Sequence, residues 1–197
     1  MGAYSPAPVV TEELEKVVME KIMKPTIRAL RSEGINYKGI LYAGLMIDKG
    51  DPQVLEFNCR LGDPETQPVL ARLKTDLMDI AMALTEERLS EINIEWNSDP
   101  AVCVVLSSSG YPGKYRKGDM ITGIEEANSV EGVHVFHAGT AFKDDHIVTA
   151  GGRVLGVTAV GKDVATAKSR AYDAAGKIHF QGMHYRKDIA DRALKRP

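Results

Sequence analysis

The sequence predicts an α+β protein: a helix–hairpin–helix unit over residues 1–96, then a mainly antiparallel β domain with one packed helix over residues 97–197. Three observations predict it. Residues 11–34 carry apolar side chains at helical spacing. Residues 39–58 read as two apolar strand segments joined by the turn sequence Lys-Gly-Asp-Pro. After Asn97-Ser-Asp-Pro100, a strong boundary signal, the texture changes to short β-prone runs separated by turns.

The opening "MGAYSPAPVVT" has no capping residue before Thr11, and Pro6 and Pro8 keep it extended. It is expected to be a loop entering a domain already under way, with Met1 internal to a longer parent. Thr11 then caps a helix whose first turn carries Glu12 and Glu13 and which Gly34 can stop. Leu14, Val17, Val18, Ile22, Ile27 and Leu30 approximate one stripe, with a kink expected at Pro25. "GILYAGLMID" and "QVLEFN" form the hairpin, and Leu77, Ile80, Ala81 and Leu84 mark a second helix. Met46, Met78 and Met82 are read as core filler.

Beyond Pro100, "AVCVVLSSS", "MITGIEEA", "VHVFHAGTAF", "HIVTAGG" and "RVLGVTAVG" read as strands, with "KDDH" as a hairpin tip. The last helix, "DVATAKSRAYDAAGKIHF", carries Ala165, Ala167, Ala171, Ala174 and Ala175, suited to close packing on that sheet.

The composition is that of an ordinary globular chain: 44% hydrophobic, 26% charged, net charge -2. No basic run interleaved with aromatics suggests nucleic acid, and no apolar stretch is long enough to span a membrane. No signal peptide is legible, so a cytoplasmic setting is the default expectation. Cys59 and Cys103 lie in apolar runs and are expected to be buried, reduced thiols. His134 and His137 show no ligand spacing and are read as structural.

"VLEFNCRLGDPETQP" is the stretch that carries chemistry. Alternation puts Leu55 and Phe57 on one face and Glu56, Asn58 and Arg60 on the other. Two readings fit: a solvated polar face on an edge strand, or a carboxylate and an amide oxygen converging on a hard cation.

"EFNCRLGDPETQ" resembles the signature of the phosphoribosylamine–glycine ligases of the ATP-grasp superfamily. The resemblance extends through "GILYAGLM", "SSSGYPGKYRKGDMITG", "VFHAGT", "TAGGRVLGVTAVG" and "AYDAAGKIHFQGMHYRKDIA", in the order of that family's C-terminal domain. It implies a partial ATP-grasp lobe over residues 1–96 and the family's C-terminal domain after it. It implies ligation of glycine to 5-phosphoribosylamine with ATP, giving glycinamide ribonucleotide, ADP and phosphate through a glycyl phosphate. Glu56 and Asn58 match the family's metal pair, for Mg²⁺ or Mn²⁺ arriving with ATP. Arg60 is placed to offer a cation to phosphate oxygens, or else to form a structural salt bridge. Asp63 is a helix cap with Pro64 in the first turn, a substrate contact, or both. Gly62, Gly110, Gly152 and Arg153 are candidate substrate contacts, the glycines being equally suited to tight turns.

No Walker-type loop and no G-x-G-x-x-G opening a helix is present, and nothing matches the ATP-clamping lobe of the family. The chain is therefore expected to be an incomplete and inactive fragment, prone to self-association through surface that lobe would cover. Two rivals stay open: another purine-pathway or carboxylase-type ATP-grasp ligase, and a non-catalytic truncated module.

Overall fold

The computed structural model describes residues 1–195. It is built of helices and antiparallel strands and divides into two compact units. The larger unit takes Met1–Pro6, Asp63–Leu73 and the chain from Trp96 onward; the smaller takes Ala7–Gly62 and Lys74–Glu95. The units are thus interleaved in sequence rather than divided once at residue 96. The opening segment is the first reason. It is not the expected loop but a strand, β1 (Gly2–Ser5), paired antiparallel with β4 (Ala101–Ser107) from Gly2↔Val104 to Ser5↔Ala101.

In the smaller unit the Thr11 hydroxyl caps helix α1 (Glu12–Val18), accepting from Leu14 N–H at 3.2 Å. The chain continues through a single π-helical turn, Met19–Met23, into α2 (Lys24–Ser32). That wide turn, with Lys24 N–H reaching back to the Met19 carbonyl, is where the expected irregularity falls, immediately before Pro25. Gly34, at φ +80, ends the run. Strands β2 (Tyr42–Asp48) and β3 (Asp51–Asn58) form the hairpin, and α4 (Leu77–Thr85) follows with Asp76 as its cap.

This unit buries little. Leu14, Ile22, Pro52 and Ala83 are its buried apolar side chains among the described residues, whereas Met46, Met78 and Met82 are exposed, Met78 by 66%. The expectation that these methionines fill a core is corrected: the described residues place no second layer over them.

The larger unit holds the core. Its sheet runs β1-β4-β8-β5, with β8 (Arg153–Val160) central and β5 (Val133–His137) at the edge. Val102, Val104 and Leu106 of β4 and Val154, Val157 and Ala159 of β8 are fully buried. Helix α6 (Val164–Ala175) lies against both strands, its Ala167, Ala171, Ala174 and Ala175 completely buried, which lets the backbones approach closely. The Asp163 side chain caps it at 2.7 Å from Thr166 N–H. The short helix α3 (Thr66–Leu70) packs on β4 and β8 as well, with Gln67 beside Gly156.

Two expected strands are corrected. Residues 120–128 give only isolated bridges at Met120 and Thr122, then helix α5 (Ile124–Asn128). Gly123 is the cause: it sits at φ +81, with any Cβ 1.9 Å from the Lys177 carbonyl, so the chain turns there instead of extending. "VHVFHAGTAF" is two strands, β5 and then β6 (Thr140–Lys143), which pairs with β7 (His146–Thr149) around the expected Asp144-Asp145 tip. A last short helix, α7 (Asp191–Leu194), closes the described chain. Among the described residues no helix is long and apolar enough to cross a membrane.

Candidate active site

The polar row begins with the hairpin. Lys49 and Gly50, at φ +49 and +87, make a two-residue turn whose twist matches its strands. The ladder pairs Asn58 with Tyr42 and Glu56 with Gly44, then shifts, Val54 pairing with Leu45. Leu55 is the extra residue of this bulge. It is 65% exposed, and Phe57 is 41% exposed. The apolar face of β3 therefore does not enter a core within the described residues, contrary to the expectation.

The polar side chains converge as alternation predicts. Asn58 Nδ2 donates to Glu56 Oε1 at 3.0 Å, and Arg60 Nη2 donates to Asn58 Oδ1 at 3.4 Å. Arg60 Nη1 also donates to the Leu61 carbonyl at 2.9 Å. Carboxylate, amide and guanidinium thus form one row. Arg60 makes no salt bridge in it, which leaves its charge available.

The donor set suits a hard cation only in part. A carboxylate and an amide oxygen are two ligands, the number Mg²⁺ commonly takes from protein before phosphates and water complete its shell. Among the described residues no group of three or more His, Cys, Asp or Glu could cage a metal unaided. The amide currently turns its nitrogen to Glu56. Holding a cation between the two side chains requires the amide to rotate so that Oδ1 faces the carboxylate, which releases Arg60.

In the larger unit a second cluster forms around Arg153. Its Nη1 donates to the Asp63 carbonyl at 2.7 Å and lies 2.9 Å from Asp63 Oδ2, while Nε donates to Tyr111 Oη at 3.1 Å. The Tyr111 hydroxyl, and then the Asp63 carboxylate, hold the guanidinium more firmly protonated than usual. Asp63 is not a helix cap: α3 starts at Thr66, after Glu65, and no side chain caps it. Gly152 is required by Tyr111, whose ring would lie 2.0 Å from any Cβ there, and Gly110 turns the chain at φ +87. These two glycines serve packing and turning. Gly62 ends the first segment of the smaller unit, one residue before Asp63.

The expected residues therefore gather in two clusters: Glu56, Asn58 and Arg60 in the smaller unit, and Asp63, Gly110, Gly152 and Arg153 in the larger. Tyr111 was missed, although an aromatic between Gly110 and Pro112-Gly113 was a visible signal. Arg72 was missed without any signal. It donates to Ser5 Oγ, the Asn97 carbonyl and the Asp99 carbonyl at 2.8, 3.1 and 3.2 Å, tying together the three segments of the larger unit. Of the two thiols, Cys103 is buried, and Cys59, beside the polar row, is exposed, contrary to expectation.

Two family models match: the ATP-grasp (A) domain of phosphoribosylglycinamide synthetase over residues 1–66 and its C domain over residues 101–192. The phosphoribosylamine–glycine ligases of Vibrio parahaemolyticus and Pseudomonas aeruginosa are 50% and 52% identical over the whole chain. The chain spans 46% of the length of each. The crystal structure of the phosphoribosylamine–glycine ligase of Thermotoga maritima superposes with a TM-score of 0.80 at 36% identity, covering 95% of this chain and 46% of that one. The N5-carboxyaminoimidazole ribonucleotide synthetase of the same organism shares the fold, with a TM-score of 0.62 at 20% identity over 91% of this chain and 45% of that one.

Proposed function

The chain belongs to the phosphoribosylglycinamide synthetase family, and we propose that it supplies the metal strand and C-terminal domain for ligation of glycine to 5-phosphoribosylamine. ATP is the co-substrate; the products are glycinamide ribonucleotide, ADP and phosphate, in a cytoplasmic setting. The observation that carries this reading is the Glu56–Asn58–Arg60 row, in which the Asn58 amide is hydrogen-bonded to the carboxylate on one side and to the guanidinium on the other.

In the proposed reaction a glycine carboxylate oxygen attacks the γ-phosphorus of ATP and ADP leaves. The amine of phosphoribosylamine then attacks the acyl carbon, and inorganic phosphate leaves as the amine sheds its proton. Such chemistry is limited by positioning and by neutralising phosphate charge. Glu56 and Asn58 hold the divalent cation, Mg²⁺ or Mn²⁺. When bound, that cation screens the phosphate oxygens. Arg60, freed when Asn58 rotates, presents two N–H groups to the transferred phosphoryl or to the acyl phosphate. Arg153, anchored by Tyr111 and Asp63, keeps the start of the Pro64–Thr66 segment in place.

The test is a chimera in which this chain replaces the matching 46% of the Pseudomonas aeruginosa relative. Glycine- and phosphoribosylamine-dependent ADP release is expected from it. Glu56→Gln in the chimera should lower turnover by at least about a hundredfold with the fold intact, because it removes the only formal charge of the metal pair. Unchanged turnover in that variant at ordinary Mg²⁺ sinks the assignment. On its own the chain is proposed to self-associate, since Leu55, Phe57, Met78 and Met82 of the smaller unit are exposed.

A further inference from the structure

The two edges of the large sheet are finished differently. At β5 the outer edge is closed: Val133 N–H donates to the Val130 carbonyl at 3.1 Å and Val135 N–H to Asn128 Oδ1 at 2.8 Å. At β1 it is not. Val105 N–H donates to the Met1 carbonyl at 3.1 Å. Bonded pairs alternate along an antiparallel ladder, so Ala3 and Ser5 also turn their backbone groups to β4, and Gly2 and Tyr4 turn theirs away. The sheet order ends at β1, and among the described residues no backbone group outside the ladder bonds to Gly2 or Tyr4. A row of free N–H and C=O groups is a template for a further strand.

A cavity of about 400 Å³ lies beside these two residues, between β1 and the segment 186–195. Gly2 and Tyr4 line one side; Arg186, Asp188, Arg192 and Lys195 line the other. The far wall is held by α6. The Tyr172 hydroxyl donates to the Arg186 carbonyl at 2.7 Å and accepts from Ile189 N–H at 3.0 Å. The Lys168 ammonium pairs with the Asp191 carboxylate. Gly2 admits no side chain: a Cβ would stand 2.5 Å from the Cys103 carbonyl and 2.7 Å from Ile189 Cγ1. β1, a weak pairing partner as a free segment, is thus fixed between β4 and this wall with its open edge presented in place.

The charges around the cavity are unequally matched. Arg186 grips Asp188 with two bonds, at 2.8 and 2.6 Å, and Lys168 takes Asp191, so both acidic groups are occupied. Among the described residues, Arg192 and Lys195 have no carboxylate within ion-pair distance. A small anion answers the cations and leaves the backbone edge open; an extended segment bearing carboxylates answers both. In strand addition the main chain supplies affinity and alternate side chains supply specificity. The volume lies in the range of small-molecule sites, room for about two or three residues. We propose that this edge takes an extended acidic segment of a partner protein. The segment lies beside β1, bonds through its main chain to Gly2 and Tyr4, and sets alternate Asp or Glu carboxylates against Arg192 and Lys195. The proposal goes beyond the ligase reading, which uses neither cation.

Titrating a labelled acetyl-Val-Glu-Val-Glu-Val-amide peptide with the 197-residue chain, read by fluorescence anisotropy, tests it. The peptide should bind, weakening as salt rises, and its counterpart with lysine for glutamate should not. N-methylating one alternate set of its amides should weaken binding at least about tenfold and the other set little, because a strand shows only one set to its neighbour. Arg192→Gln and Lys195→Gln should each weaken binding about threefold to tenfold, and Arg192→Lys should recover part of it, with circular dichroism and melting unchanged. The peptide should also slow hydrogen exchange at the Tyr4 amide, which attraction between charges alone does not do. No binding up to about 1 mM peptide, equal binding of the lysine peptide, or Tyr4 exchange that ignores the peptide overturns the proposal. Tyr4 exchange that slows with chain concentration and no peptide present names a second copy as the occupant, and overturns it too.

Discussion

Gly44 faces Glu56 across the β2–β3 ladder, and a Cβ on Gly44 would come within 3.2 Å of Glu56 Cγ. The carboxylate owes its position to the missing side chain opposite. Valine at this position favours the strand but crowds the carboxylate off the row. Gly44→Val in the chimera should keep the hairpin and lower ADP release by about tenfold to a hundredfold, as misplacement of a positioning group does. The expected readout is a fall in kcat that added Mg²⁺ restores only in part. Unchanged turnover would mean that Glu56 does not act from this position.

The isolated chain should release no ADP on addition of ATP, glycine and phosphoribosylamine. Two protein ligands leave most of the cation's shell to phosphates, so without further contacts to the nucleotide the site is weak. Sedimentation of the same sample should give species heavier than 21.5 kDa, and substituting Leu55 and Met78 by glutamate should shift it toward the monomer. Steady turnover, or a monomer at all concentrations, contradicts one half of this expectation each.

Gly152→Ala forces Tyr111 away, because its ring carbon would lie 2.0 Å from the new methyl. Arg153 then loses the tyrosine hydroxyl. The cost should be about 1–3 kcal/mol, as for other overpacked sites, read as a lower denaturant midpoint. In a Tyr111→Ala background the same substitution should cost less than half as much. Additive effects would show that the ring is not what position 152 accommodates.

The two thiols should behave oppositely. A thiol reagent should label Cys59 and spare Cys103 in the folded chain. Burial pushes the Cys103 thiol up to about 11 from an ordinary value of 9.0. Between those values the unfolded chain gives up the proton and the folded chain keeps it, so unfolding binds fewer protons there. The contribution is present in full below pH 9 and is lost as pH rises toward 11, by about 2–3 kcal/mol. Stability of the native chain should fall more steeply over that interval than stability of Cys103→Ala. Parallel curves would contradict the burial of this thiol.

What was legible in the sequence was local. Thr11 advertises its cap, Lys49-Gly50 its turn, and the alternation around Glu56 its row, because each depends on residues a few positions apart. Three features were not. The pairing of Gly2–Ser5 with Ala101–Ser107 joins segments too distant for any periodicity to register. The left-handed turn at Gly123 depends on the Lys177 carbonyl. The exposure of Met78 and Leu55 reflects what is not packed over them, and hydrophobicity alone reads them as interior. In the candidate site the polar row was readable; the partners of Asp63 and Arg153 were not, since they lie ninety residues apart in sequence.

The pairing of β1 with β4 also sets an order of events on the ribosome. The strand made first finds its neighbour only when Ala101–Ser107 has emerged, roughly 5–20 s later at ordinary elongation rates. The hairpin and the helices α1 and α2 of the smaller unit, whose backbone pairing is local, can form in that interval. Residues 2–5 must stay extended and unclaimed while they do. A small glycine-containing strand of four residues is poorly equipped to pair prematurely with anything else, and Pro6 and Pro8 beyond it discourage extension of any wrong partner. The same brevity that hides this strand from pattern reading keeps it available during synthesis.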